Sequence, residues 1–499
     1  MRFSRYDRGR GTRLCLLLPA FAALGLFLTG CPKPPAPDTP TGPSSWFRGI
    51  PSACTTGVVA PAGQQVSYQF DWGDNNRSEW SPLMDDSIAF ADTHSYAAEG
   101  NFKIIARVKV GSHASSWSAA LDVTVEAGEG AVIWAMTFTD PEEPTDSAGF
   151  DFNSFGLNPD GTSIIACSYG AVTGRRQSGV TWRYVLPGGD EFTSGPVIAD
   201  DGTIYIGCTN DTVYAINPDG TPKWQYDTGS PVAATGALGT DGTFFCQTED
   251  SVIALTAAGA RLWAFYTGGG HSSPVIGTDG IVYVGSDAGL VYAFNPGDGS
   301  AKWSAPCTTG TVSIVAAPAI DTSRSVLYVT NDDGLLWAIG LDGTHKWSLS
   351  IGQDASAPVI GSDGTVYVGA NGMLSAINPD DQSFNWRFSP PLAGVVSTPA
   401  VSSAGYIYVL VTAGKKGFTQ ESSDSMYAVN PDGTQRWASG LGEGTSDPDL
   451  MLSAPKIDAS GRIYIGNGTR GWCLVGVGGP AQSVWPMCQR DARNTGRAQ

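Results

Sequence analysis

The sequence predicts an all-β protein, an eight-bladed β-propeller preceded by a small β-sandwich module. Three observations carry this expectation. Gly supplies 64 of 499 residues and Trp 15, while only 15% of residues are charged, a balance suited to short strands joined by tight turns. The stretch NPDGTPKW (217–224) returns as NPDGTQRW (430–437) and, trimmed, as LDGTHKW (341–347). Finally, Trp134, Trp182, Trp224, Trp263, Trp303, Trp347, Trp386, Trp437 and Trp485 recur at intervals of about 40–50 residues, the period of stacked units such as propeller blades.

Residues 1–30 read as a targeting segment outside the fold. Arg2, Arg5, Arg8, Arg10 and Arg13 make a positive start, and LCLLLPAFAALGLFL follows as an apolar run too short for an ordinary membrane span. The run closes on LTGC, Leu28 to Cys31, which resembles the bacterial lipobox. That resemblance implies that Cys31 becomes the lipid-modified first residue of the mature chain. An ordinary secretory signal or an uncleaved anchor is the alternative. Acyl chains contribute roughly 0.8 kcal/mol per buried CH₂, and two or more hold a protein stably on a membrane. Pro32 stands where an Asp would suggest inner-membrane retention, so the expected location is the cell envelope, lipid-anchored and extracytoplasmic, at the outer membrane of a two-membrane organism. Loss of the five arginines leaves a chain more acidic than the −18 of the whole. Such a surface repels phosphate backbones, which argues against a nucleic-acid partner.

PKPPAPDTPTGP (32–43) is a Pro-rich, semi-rigid spacer, so residues 31–43 form a stalk after Cys31. Residues 44–127 alternate apolar and polar in QQVSYQFDW, NFKIIARVKV and AALDVTV, the pattern of short strands. Asp71-Trp72-Gly73-Asp74, and His94-Ser95-Tyr96 ahead of Gly100, resemble PKD or fibronectin-like sandwich modules. Asp71 and Asp74 read as turn caps, with a calcium ion as the alternative, and His94 as a packed strand residue. Seven cysteines follow Cys31. An odd number leaves at least one unpaired within the chain, and no CxxC with only four His gives little support to a zinc site. Cys473 and Cys488 could bridge; buried free thiols are the other reading.

Residues 128–499 hold the repeat. Its clearest copy is SGPVIADDGTIYIGCTNDTVYAINPDGTPKW (194–224). Two strands meet at Asp-Gly, where Gly accepts positive φ. A third strand ends in Ala and a fourth carries the Trp. The turn Gly falls at 161, 202, 242, 280, 364, 405 and 461, with Arg324 in that place once, making eight hairpins. Pro196, Pro274, Pro318, Pro358, Pro399 and Pro455 each precede the turn by six residues. Proline cannot donate to a ladder, so these strands are edges, and in a propeller the first strand lines the channel. The Trp strand is then outermost. A blade cannot bury both faces alone, so Trp134, Trp182, Trp224, Trp263, Trp303, Trp347, Trp386 and Trp437 are expected to wedge between blades, each contributing at most roughly 4–6 kcal/mol. Trp134 has no third strand before it and is expected on the outer strand of the last blade, closing the ring; Trp485 would lie in a tail over that seam.

AINPDGTPKW, AIGLDGTHKW and AVNPDGTQRW (215–224, 338–347, 428–437) resemble the repeat of PQQ-type (quinoprotein-type) β-propellers in their Ala, Gly and Trp, and depart from it at its Asp and Thr. WPMCQRDARNTGR (485–497) is similar to a segment common in secreted propellers of that group. The resemblance implies an eight-bladed propeller and leaves two branches for activity. Quinoprotein dehydrogenases bind PQQ and calcium, many with adjacent cysteines; here no Cys-Cys pair and no recognisable calcium-ligand set with a catalytic Asp occurs, so no cofactor, metal or catalytic residue is assigned. The lipoprotein scaffold of the outer-membrane β-barrel assembly machinery is the other branch, although the stalk and sandwich module exceed what such a subunit needs. The reading is therefore a monomeric, membrane-tethered, non-enzymatic protein that binds a protein or glycan through a propeller rim, with the assembly scaffold and then the oxidoreductase as alternatives.

Other groups read as follows. Asp140, Glu142, Glu143, Asp146 and Asp151 make a solvated acidic loop. His271 opens an inner strand and is structural or ligand-contacting. Lys415 and Lys416, in the insertion VTAGKKGFTQESSDS (411–425), stand out on an acidic background as a partner-contact loop.

Overall fold

A computed structural model describes residues 34–498 apart from positions 43, 49–51, 58–64, 86–88, 127, 138–154, 159, 168–169, 177–178, 187–189, 191, 193, 304–306, 414–422, 444–452, 468–469, 483–485 and 492–493. The chain forms two compact units. The smaller contains Ser52–His94 and Asn101–Val123; the larger contains Thr124–Gln499 with Ser45–Pro51 and Ser95–Gly100. Among the described residues no helix is long and apolar enough to cross a membrane.

In the smaller unit Gln65–Asp71 pairs antiparallel with Gly100–Val110, and Ser52–Thr56 with Phe90–His94. Alternation places Val66, Tyr68, Phe70 and Val108 inside. Two Ser-x-Trp-Ser segments edge this sheet. Ser78 and Ser81 take the amides of Phe70 and Tyr68 on their hydroxyls, and Ser118 and Ser115 take those of Ala106 and Val108. Their tryptophans interleave with cations in the order Lys109, Trp80, Arg107, Trp117, Arg77, at 4.3–5.3 Å from the ring centroids. Asp71 pairs with Arg77 and caps Gly73, and Asp74 accepts a bond from His94, whose ring stacks on Trp72.

The larger unit is eight meander sheets, four-stranded except for blade 7, whose second strand also pairs with Val395–Val396. Blade 1 begins at Phe155–Leu157, blade 2 at Val197–Ile198, blade 3 at Ala237–Leu238, blade 4 at Val275–Ile276, blade 5 at Ala319–Asp321, blade 6 at Val359–Ile360, blade 7 at Ala400–Val401 and blade 8 at Lys456–Ile457. Blade 8 takes its fourth strand, Val132–Thr137, from the start of the propeller, with Trp134 opposite Cys473. The expected closure of the ring between the two ends of the repeat region is thus what the strand order shows.

Every predicted turn glycine has positive φ, from 80° at Gly202 to 87° at Gly461. Blade 5 differs: the left-handed position is Ser325 (φ 53°), not Arg324, because its turn is one residue longer. Arg324 is freed to bridge Asp321 and, in blade 6, Asp380. Second and third strands are the buried centre of each blade, as in Ile204–Gly207 and Thr212–Ile216. No disulfide joins Cys473 to Cys488, and Cys54, Cys208, Cys246 and Cys307 are likewise unbridged.

Candidate functional site

In five blades the outer-strand Trp sits opposite the third-strand Ala: Ala215↔Trp224, Ala254↔Trp263, Ala338↔Trp347, Ala376↔Trp386 and Ala428↔Trp437; in blade 1 Trp182 faces Gly174 instead. The small Ala lets the indole lie flat across its own blade, with its ring 5.6–5.9 Å from an aromatic of the second strand in blades 2 to 7. Beyond the blade edge the indole meets the glycine-bearing turn between the third and fourth strands of the next blade. A Cβ on Gly220 would stand 2.6 Å from Trp182, on Gly259 2.7 Å from Trp224, on Gly299 2.6 Å from Trp263, on Gly343 2.9 Å from Trp303, and on Gly433 2.7 Å from Trp386. Four indole N–H groups donate into the same turns: Trp224 to Ala257 O, Trp263 to Pro296 O, Trp303 to Leu341 O and Trp386 to Pro431 O, at 2.7–3.1 Å. At the seam Trp437 meets Gly130, and the neighbouring Arg436 binds Glu129 through two 2.6 Å bonds. Trp347 lacks a glycine to rest on; Gln382 takes the left-handed position there (φ 59°). The turn before a Trp is thus the platform for the Trp of the blade before.

The two rims differ in the cations that stand beside their acids. Turns joining strands 1–2 and 3–4 lie on one rim. There Asp160, Asp201, Asp219, Asp241, Asp279, Asp298, Asp342, Asp363, Asp381, Asp432 and Asp458 each accept the amide two residues on. The hydroxyl and amide of that residue hold the carboxyls of Asp219, Asp298, Asp342 and Asp432 below the usual range.

On the opposite rim lie the 2–3 hairpins and the links to the next blade. From blade 2 to blade 6 these carry Asp211, Asp227, Glu249, Asp250, Asp287, Asp332, Asp333 and Asp354 and not one Lys or Arg. Asp287 is the centre of a small cluster: His271 Nδ1 lies 3.1 Å away and the Ser313 hydroxyl donates to it at 2.8 Å. Burial, then the charges of Asp287 and Asp333, push the Asp332 carboxyl above its ordinary value. This is not a nucleophile arrangement, since Ser313 and His271 both address the carboxylate and not each other. It is an acidic, cation-free arc.

The axis is occupied by the chain itself. Val401 N–H donates to Pro486 O, and buried Lys456 donates to Cys488 O at 2.6 Å. Asn494 Nδ2 donates to Phe155 O and Pro196 O at 3.1 and 2.8 Å. Leu238 N–H donates to Thr495 O, Ile276 N–H to Gly496 O, and Ala498 N–H returns to Ile276 O. Inner strands of blades 7, 8, 1, 2, 3 and 4 are met in ring order. Sequence reasoning placed this tail over the seam; a Pro-edged inner strand with open amides was the signal that something must pair there.

Cys31, Lys415, Lys416 and Trp485 lie outside the described residues, as do Asp140 to Asp151 and the side chain of Trp134. Among the described residues no three His, Cys, Asp or Glu side chains gather as a metal site.

Residues 122–321 and 249–386 match the profile of the family described as outer membrane protein assembly factor BamB, together a little over half of the chain. The chain is 30% identical over 116 residues to outer membrane protein assembly factor BamB of Yersinia pestis, covering 21% of this chain and 28% of that protein. It is 24% identical over 235 residues to the protein of the same name in Moranella endobia, covering 41% of this chain and 61% of that one. The matched stretches thus span less than two thirds of either relative. In fold it resembles BamB from Moraxella catarrhalis (TM-score 0.53, 18% identity, 69% of this chain and 97% of that) and the C-terminal WD40 domain of Sif2 (TM-score 0.54, 13% identity, 66% and 97%).

Proposed function

This chain belongs to the outer membrane protein assembly factor BamB family of PQQ-type propellers, and from that premise we propose that it is a non-enzymatic scaffold of outer-membrane protein assembly, tethered to the cell envelope by lipid on Cys31, that docks a protein partner on its acidic rim. The family match supports the assembly scaffold more strongly than the general protein-or-glycan binder. The carrying observation is the rim itself: eight acids over five blades without a Lys or Arg, Asp227 among them also capping the Gly229 amide as the acids of the other rim cap theirs. Such an arc attracts a basic surface and speeds its encounter. An oxidoreductase built around a propeller axis would need that axis for its cofactor, and Asn494, Thr495, Gly496 and Ala498 bond to the inner strands there instead.

Site-specific cross-linking in the producing cell tests this. Glu249→Lys, Asp333→Lys and Asp354→Lys together should cut cross-links to an outer-membrane assembly subunit at least tenfold. Asp219→Asn, Asp342→Asn and Asp432→Asn on the other rim should leave them in place. Equal cross-linking by both triple variants would sink the reading.

A further inference from the structure

We propose that the axial channel is a peptide-binding groove whose resident ligand is the chain's own C-terminal segment, residues 486–498, and that this segment is a second closure of the ring. The inference stands apart from the docking reading, since it concerns the axis and not the rim.

Three features separate a seated ligand from a loosely packed end. First, the pairing is by backbone on both partners. Arg497 bridges Ile276 in parallel register, with Ile276 N–H given to Gly496 O at 2.6 Å and Ala498 N–H given back at 2.7 Å. This is strand addition to an open inner edge. Second, the seated segment is braced by bonds within itself. Asp491 accepts the Thr495 amide at 3.1 Å and its hydroxyl at 2.5 Å, while Gly496 N–H closes onto Gln489 O at 3.1 Å. The turn places Gln489, Arg490, Asn494 and Gly496 at positive φ, a costly backbone for three of them that the surrounding contacts must hold. Third, the fit leaves no slack. A Cβ on Gly496 would stand 2.4 Å from Gln489 Oε1, 3.0 Å from Ala237 Cβ and 3.1 Å from Pro274 O. Met487, Asn494 and Thr495 are buried, and Ala498 joins the core that contains Ile320 and Ile360 of blades 5 and 6.

Asn494 is the pivotal residue. Its amide nitrogen spans the inner carbonyls of blades 1 and 2, whereas the segment it belongs to issues from blade 8. Separating the chain's two ends therefore requires breaking this amide's bonds as well as the Val132–Thr137 ladder.

Hydrogen exchange and unfolding kinetics on the full chain test the assignment. Asn494→Asp removes the donor at nearly constant shape. Gly496→Val fills space that is not there. Both should speed exchange at the Leu238, Ile276 and Val401 amides at least tenfold, leave the Val284 and Leu410 amides of second strands protected, and raise the unfolding rate in guanidinium at least tenfold. If either variant fails to accumulate, the other reads the same amides. Unchanged protection at Leu238 and Ile276, or an unfolding rate equal to that of the parent, overturns the proposal.

Discussion

At Gly433 two demands meet on one atom. The backbone has φ 86°, which costs an L-residue about 1–2 kcal/mol, and a Cβ would reach 2.7 Å from the Trp386 indole. Gly161 has nearly the same φ, 82°, with nothing within 4 Å of that position. The pair therefore separates conformation from contact. Gly161→Ala should lose about 1–2 kcal/mol in a urea titration. Gly433→Ala should lose a further 1–3 kcal/mol, because the indole must shift off its platform and its bond to Pro431 O weakens. Equal losses would mean that the indole contact adds nothing to the joint. The recurring Gly and Trp were both legible in the sequence, since their spacing repeats. That the Gly of one repeat serves the Trp of the previous one was not. Contact between repeats lies 35–47 residues away in the chain, and a periodic pattern is the same whichever neighbour it is read against.

Turns are the element that divides this propeller. An antiparallel meander sends its odd and even turns to opposite rims, so charge can be sorted by turn parity from the sequence once the strands are known. That signal was available and overlooked: the net charge was used only to argue against a nucleic-acid partner, and Lys415 and Lys416 drew notice as exceptions when the absence of cations elsewhere was the stronger pattern. The axis stayed illegible for a different reason. Residues 486–498 have no strand periodicity, and their conformation is set by inner edges supplied by other blades. The capped turns give a pH dependence. The carboxyls of Asp219, Asp298, Asp342 and Asp432 are depressed in the fold by Thr or Ser donors, so their stabilisation is complete above the unfolded value of about 4 and is lost as pH falls through the lower folded values. Asp332 works the other way, its raised value relieving a penalty on acidification. With four caps against one such group, the urea midpoint should drop between pH 5 and pH 2. Asp432→Asn should lower it at pH 7 and narrow that drop. A midpoint flat across this range would show that the caps are not coupled to folding.

Across the whole ring, seven blades are continuous in the chain and one is not. Blade 8 holds its outer strand through the ladder between Val132–Thr137 and Arg470–Val475, the Trp437–Gly130 contact and the Arg436–Glu129 pair. A closed ring has no free end to fray, so its unfolding must begin where a strand can leave without breaking the chain. Contacts already lost in the transition state affect the unfolding rate; contacts still present there affect refolding. Gly130→Ala and Gly433→Ala burden equivalent joints, with Cβ positions 2.9 and 2.7 Å from Trp437 and Trp386. Their equilibrium losses should be similar and their kinetics should differ. Gly130→Ala, at the seam, should raise the unfolding rate by roughly 10–30-fold for a loss of about 2 kcal/mol. Gly433→Ala, inside the arc, should leave unfolding within a few-fold of the parent and slow refolding instead. A chevron in which both variants shift the same limb by the same amount would place the first opening somewhere other than the strand that joins the two ends of the ring.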